Sequence, residues 1–349
     1  MKYNLPQRRR GAEILKFYFG RNSFFKFHCC KILPTAYCLL LTAYCLLIIS
    51  CQKKQEWNWS EVKQLSQYEI SDLKRVDDST IIGVGGERYS HGEFYSSIDN
   101  GKTWNEKEIL DKQLYGISFR NKDTLIASGY DGKILQSTNG GIDWNITQNF
   151  LWRLMRNVLW LNDSVIVSCG GSGFTGGIIA RSTDKGLNWK NDTLNSEMRG
   201  LCSTDNQTIF CCGYGKIIKS TDAGATWIQQ EATGDFFVSI SFSSPEHGIA
   251  IGLAGTIMIT EDAGANWKKI RNGNSLTNQS WIFRKTIFRD FNNGYIVGDN
   301  GLLLSTTDGG NHWIKIKNAP DANFTSIVLT DNGGLVGSEE GKLFQFLEE

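Results

Sequence analysis

The chain has 349 residues, with 37 Lys and Arg against 36 Asp and Glu, and it holds 37 Gly, 11 Trp and only 4 Pro. Such a glycine-punctuated, aromatic-rich texture points to many short strands joined by tight turns and excludes a chain built of long helices. Residues 1–50 carry eight basic residues and one acid, leaving 29 basic and 35 acidic residues and a net charge of −6 for the rest; neither nucleic acid nor an anionic membrane is expected as the main ligand of that body.

The first predicted element is a leader. Basic residues up to Lys31 precede an uncharged run of 19, Ile32 to Ser50, which stops at Cys51. A basic stretch, an apolar stretch and a small residue before the cut have the form of a secretory signal. The last four residues, Ile48-Ile49-Ser50-Cys51, resemble a bacterial lipobox, which implies removal of residues 1–50 and lipidation of Cys51. An uncleaved membrane anchor is the alternative, since 19 apolar residues just span a bilayer. Either reading puts the body outside the cytoplasm, facing the periplasm or the cell surface, behind a short tether at 51–56.

From residue 57 onward a repeat dominates. One motif recurs six times: SIDNGKTW at 97–104, STNGGIDW at 137–144, STDKGLNW at 182–189, STDAGATW at 220–227, TEDAGANW at 260–267 and TTDGGNHW at 306–313. Its closing tryptophans, Trp104, Trp144, Trp189, Trp227, Trp267 and Trp313, are 38 to 46 residues apart, the period of one four-stranded propeller blade. At the third position Asp99, Asn139, Asp184, Asp222, Asp262 and Asp308 are expected to accept backbone N–H groups two or three residues on and so close a turn. Glycine at the fifth position supplies a positive φ, the first-position hydroxyl ties down the same turn, and the tryptophan opens the next strand with a large apolar face. The motif is a folding device.

A second shared element, a Gly-rich turn and then a strand, leads into each box, as in GYDGKILQS at 129–137 and GLAGTIMIT at 252–260. A seventh lead-in, GSEEGKLFQF at 337–346, has no box behind it, while Trp57-Asn58-Trp59-Ser60-Glu61-Val62 reads like the strand that follows a box. Residues 57–349 are therefore expected to form an all-β, seven-bladed β-propeller of four-stranded blades, closed by the N-terminal strand completing the last blade.

These boxes resemble the Asp-box, or bacterial neuraminidase repeat, of sialidases, sortilin-type receptors and the photosystem II stability/assembly factor family. Seven blades, a box in nearly every blade, the lead-in and the export signal make that last family the nearest resemblance, over roughly residues 57–347. It implies a rigid ring that offers one face to a protein partner, here an unidentified one of the class of membrane-complex subunits; the chain itself is expected to be a monomer.

Aligning the repeats puts one residue per blade around a mouth of the central channel: Ser71, Tyr115, Arg156, Arg199, Val238, Arg284 and Phe324. With neighbours Trp152, Arg153, Phe237, Trp281 and Lys285 they make a candidate basic and aromatic patch, arginine and aromatic rings being typical binding anchors. The alternative is that the arginines cap strand ends or pair with acids. Insertions at 170–177 and 272–285 are further candidates. Cys202 and Cys211 would face one another across a hairpin, either as a disulfide or as buried small residues.

No catalytic set suggests itself. The sialidase-type FRIP opening is missing, the nearest string being Phe283-Arg284-Lys285-Thr286, and His28, His91, His247 and His312 are scattered. Most acids lie in boxes or turns. No metal or cofactor is expected. The runner-up reading is a carbohydrate-binding or glycoside-hydrolysing propeller, with Trp152 and Trp281 as exposed platforms for sugar rings.

Overall fold

A computed structural model describes residues 57–150, 152–172 and 176–348; the leader, Cys51 and the tether lie outside them. Among the described residues there are seven four-stranded antiparallel sheets, six of them meanders whose strands pair in sequence order. The innermost strands are Glu69–Arg75, Leu114–Phe119, Met155–Trp160, Met198–Ser203, Phe237–Phe242, Phe283–Phe288 and Phe324–Thr330. Each packs beside the next, and the seventh packs beside the first, which closes the circle into a propeller.

The seventh sheet is built from both ends of the body. Phe324–Thr330, Gly333–Ser338 and Lys342–Leu347 are followed in space by Asn58–Gln64, paired antiparallel from Asn58 opposite Leu347 to Gln64 opposite Lys342. Trp57 stacks on Phe346 at 5.1 Å and Trp59 on Phe324 at 5.9 Å, so the closing strand is anchored by two rings as well as by its ladder.

The core lies between the blades. Seven apolar clusters each draw on two neighbouring blades: Val167, Cys169 and Ile179 meet Met198, Ile209 and Cys211, and Val328, Leu335 and Leu343 meet Ile70, Leu73 and Ile81 across the closure. The second strand of each blade is sandwiched on both faces, hence runs such as GIAIG and IFCCG that are buried throughout. The fourth strands are exposed and, in blades four and six, only two residues long (Ile228–Gln229 and Ile314–Lys315), which keeps the outer edges short.

The boxes do what their composition demands, with one change of register. In the first box, Ser97 Oγ accepts the Gly101 N–H at 2.9 Å and donates to Asp99 Oδ1 at 2.8 Å, while Asp99 Oδ1 takes the Thr103 N–H, four residues on, at 2.8 Å. The expected bonds two and three residues on occur elsewhere, in the turn between first and second strands: Asp77 accepts Ser79 and Thr80, Asn121 accepts Asp123 and Thr124, and Asp205 accepts Gln207 and Thr208. The two turns of a blade are then sewn together. The N–H of the fourth box residue donates to a carbonyl of that other turn, Asn100 to Ser79 at 2.7 Å and Ala223 to Gln207 at 2.8 Å.

Sewing them requires two left-handed residues in a row. The fourth box position has φ of 58° at Ala223 and 64° at Lys185, and the fifth has 82° at Gly224 and 89° at Gly186. In the first two boxes the fifth must be glycine for a second reason, because a Cβ there would also strike the preceding blade, 2.5 Å from Leu335 Cδ1 at Gly101 and 2.2 Å from Phe94 at Gly141. The box tryptophan donates Nε1–H back to that glycine carbonyl in four boxes, at 2.8 to 3.0 Å. Trp267 is buried and the other five are half-buried.

Cys202 stands opposite Phe210, and Leu201 opposite Cys211, so the two thiols point to opposite faces of the sheet and form no disulfide. Cys211 lies in the core beside Cys169.

Candidate functional site

Every innermost strand has the same irregularity. The register slips at Ser71, Tyr115, Arg156, Arg199, Val238, Arg284 and Thr325, each of which is an extra residue with no partner in the second strand. A bulge turns its extra residue out of the sheet, and all seven line one cavity of about 350 Å³ at the mouth of the channel. The lead-in glycine has its reason here. The bulge swings the inner strand over the second, and a Cβ would stand 2.1 Å from the Glu197 carbonyl at Gly213 and 2.0 Å from that of Ile282 at Gly298.

Six of the seven expected rim positions are at the mouth. The seventh is Thr325, one residue beyond Phe324: in each blade an apolar residue precedes the bulge and points into the core, and Phe324 and Phe237 are such residues, wholly buried. They are therefore removed from the candidate surface. Trp281 is half-buried, its ring covered by the Arg271 guanidinium at 4.4 Å, and is no open platform. Lys285 points down the channel to Asp72, 2.7 Å away. Trp152 is 85% exposed and holds a positive φ of 64°, an unusual strain for a ring with no burial in return.

The arginines are both paired and accessible. Arg156 and Arg199 converge on Glu197, at 3.2 and 3.1 Å, and that carboxylate is buried. Arg156 lies 4.7 Å above the Tyr115 ring and Arg199 4.7 Å above Phe236. Arg284 grips Asp299 with two hydrogen bonds of 2.7 and 3.0 Å, which raise its pKa. Burial and then the nearby Arg156 lower that of Arg199, and burial raises that of the Tyr115 phenol.

Residues the repeat alignment had not singled out complete the face. Arg88 joins the cavity, its charge favoured first by Tyr89 and then by Tyr115, and Tyr89 meets Tyr130 edge to face at 5.2 Å. Glu69, Gln113 and Glu197 sit two residues before a bulge in their blades, a repeat position at which polar residues were visible in the sequence. Among the described residues no three His, Cys, Asp or Glu side chains gather where they would hold a metal ion. His247 is structural, its ring bound to Ser243 Oγ at 2.7 Å and to the Gly309 carbonyl at 2.9 Å.

Seven blades, six of them boxed, a strand-exchanged closure and a bulge-lined mouth define an Asp-box β-propeller. More particularly, residues 231–322 match the family model of photosynthesis system II assembly factor YCF48. Solved structures agree on the fold. YCF48 bound to D1 peptide has 20% identity and a TM-score of 0.66, over 84% of this chain and 97% of that one. YCF48 from Cyanidioschyzon merolae has 16% identity and a TM-score of 0.64, over 83% and 98%. The GH74 xyloglucanase from Xanthomonas campestris has 11% identity and a TM-score of 0.63 over 82% of this chain, which spans 53% of the enzyme chain. No curated protein matches in sequence.

Proposed function

We propose that this chain is a non-catalytic, exported lipoprotein that holds a protein partner on the bulge-lined mouth of its ring. One observation carries the reading: seven bulges at one level aim a side chain from every blade into a single mouth, and three of those side chains are arginines that keep 14 to 36% of their surface exposed. Bulges are costly to a ladder and persist where they re-aim residues for a purpose. The match to an assembly-factor family, one of whose structures holds a D1 peptide, supports a peptide segment of a membrane-complex subunit as the partner class. The sequence from Lys2 to Cys51 supports export and lipidation at Cys51, with the body facing the periplasm or the cell surface.

The test is crosslinking and pull-down of the full-length lipoprotein from its own membranes, with the choice of variants set by the ion pairs. Removing Arg156 or Arg199 strips charge from the buried Glu197 and destabilises the fold as well. Trp152→Ala and Arg88→Ala are cleaner, and together they should lower capture at least tenfold, the loss of two anchors at about 1 kcal/mol or more each, with Tm unchanged. Undiminished capture would overturn the reading. Cys51→Ala should release the protein from the membrane fraction, and a mature N-terminus other than lipidated Cys51 would dismiss the anchor.

A second reading, carbohydrate binding, draws support from Trp152 alone, whose exposed ring suits a sugar face. A glycan array without hits would dispose of it.

A further inference from the structure

The channel has a second cavity at its other mouth, on the side of the box turns, with a volume of about 650 Å³. That lies in the range of small-molecule sites. The two cavities adjoin at the level of the Asp72–Lys285 pair, where Lys285 and Asn157 line both of them and Asp72 is wholly buried.

The wall of the lower cavity is mixed, with an apolar stripe of half-exposed Leu201, Phe242, Ile287 and Phe288 beside its polar and charged residues. Its charges do not cancel. At the rim Arg75 is paired with Asp331 and Arg289 with Glu348, each at 2.7 Å. At the floor, however, two lysines share one carboxylate: Lys285 Nζ takes Asp72 Oδ1 at 2.7 Å, leaving Lys74 Nζ at 3.7 Å from Oδ2, beyond hydrogen-bond length. That second oxygen also accepts the Ile117 N–H at 3.3 Å. Cys202, on the same wall, offers no countercharge, for burial pushes its thiol up to about 12. One ammonium therefore faces the cavity without a carboxylate of its own, an arrangement that an incoming anion would relieve.

We propose that this cavity binds a small organic anion with an apolar body, a medium-chain monocarboxylate in its simplest form, its head group on Lys74 Nζ and its chain along Leu201, Phe242 and Ile287. The proposal goes beyond partner capture and is independent of it, because Lys74, Leu201, Phe242 and Ile287 line the lower cavity and not the upper one.

Isothermal titration of the purified full chain with octanoate, octanol and acetate tests it. Octanoate is expected to bind, with octanol and acetate at least tenfold weaker, because one lacks the charge and the other the chain. Lys74→Met should weaken octanoate at least tenfold, the scale of one charged hydrogen bond, and Lys74→Arg should restore it. Ser241→Trp, filling the cavity from a neighbouring wall position without touching the lysines, should abolish binding while partner capture at the far mouth persists. Equal affinity for octanoate and octanol, unchanged octanoate binding in a folded Lys74→Met protein, or no octanoate binding at all would each overturn the proposal.

Discussion

At the scale of single residues the box carboxylates carry a testable signature. Hydrogen bonds from the Thr103 and Thr226 side chains and N–H groups hold Asp99 and Asp222 down to about 2, and accepted hydrogen bonds also lower Asp184 and Asp262. In the unfolded chain such groups titrate near about 3.9. Between those values the unfolded state binds protons that the folded state refuses, so the stability they contribute is whole above about pH 4 and is lost as pH falls toward 2. Asn139 shows the neutral alternative, its Oδ1 accepting the Asp143 N–H at 2.9 Å as a carboxylate would. Replacing Asp99, Asp184, Asp222 and Asp262 by Asn should therefore leave the neutral-pH Tm nearly unchanged and flatten its fall between pH 4 and 2, as followed by circular dichroism. An acid limb as steep as the parent's would refute the assignment.

At the scale of elements, the bulge and its facing glycine act as one unit, and the site depends on that unit. In Gly213→Ala the new Cβ would meet the Glu197 carbonyl at 2.1 Å, so the inner strand must shift by the bulge that presents Arg199. Overpacking of this kind costs about 1–3 kcal/mol, measurable by urea unfolding, and partner capture should weaken with it. Gly215 is the control: its φ is 69° with open space around its Cβ position, so Gly215→Asn should cost well under about 1 kcal/mol. Equal losses at the two glycines would show that close approach is not what the lead-in demands. Here also lies the limit of what was legible beforehand. The period, the box and the orphan Trp57–Val62 strand declared blade number and closure, because each is a local pattern repeated along the chain. The rim did not emerge so cleanly. A bulge has no residue type of its own, so Phe324 stood in for Thr325, and Phe237 and Trp281 looked available when only neighbouring blades decide that they are covered. Likewise Glu197, which joins two of the arginines, became a site residue only once two blades were brought together.

At the scale of the whole molecule, stability belongs to the seams between blades, and this determines how the ring fails. Each apolar cluster is shared by two neighbours, so no blade has a core to keep when its neighbour leaves. The seam most exposed to test is the closure. Trp57, 3% exposed, packs on Phe346 and Tyr295 in a cluster that joins blades six and seven, and Asn58–Gln64 covers the outer edge of blade seven. Trp57→Ala is expected to cost about 3–5 kcal/mol, the usual loss for a buried large ring. Deletion of residues 57–64 should cost more, leaving a three-stranded blade whose third strand, Lys342–Leu347, has an open edge. Because the seams are shared, the loss should appear as one cooperative transition at lower denaturant rather than as the early melting of blade seven. With Trp59→Phe added to Trp57→Ala, every tryptophan left in either variant lies in blades one to six, so fluorescence reports those blades, and far-UV circular dichroism reports all seven. Coincident curves from the two probes in both variants are the expected result, and an early circular-dichroism step with the tryptophan signal intact would mean that the blades are independent units held in a ring by their connections alone.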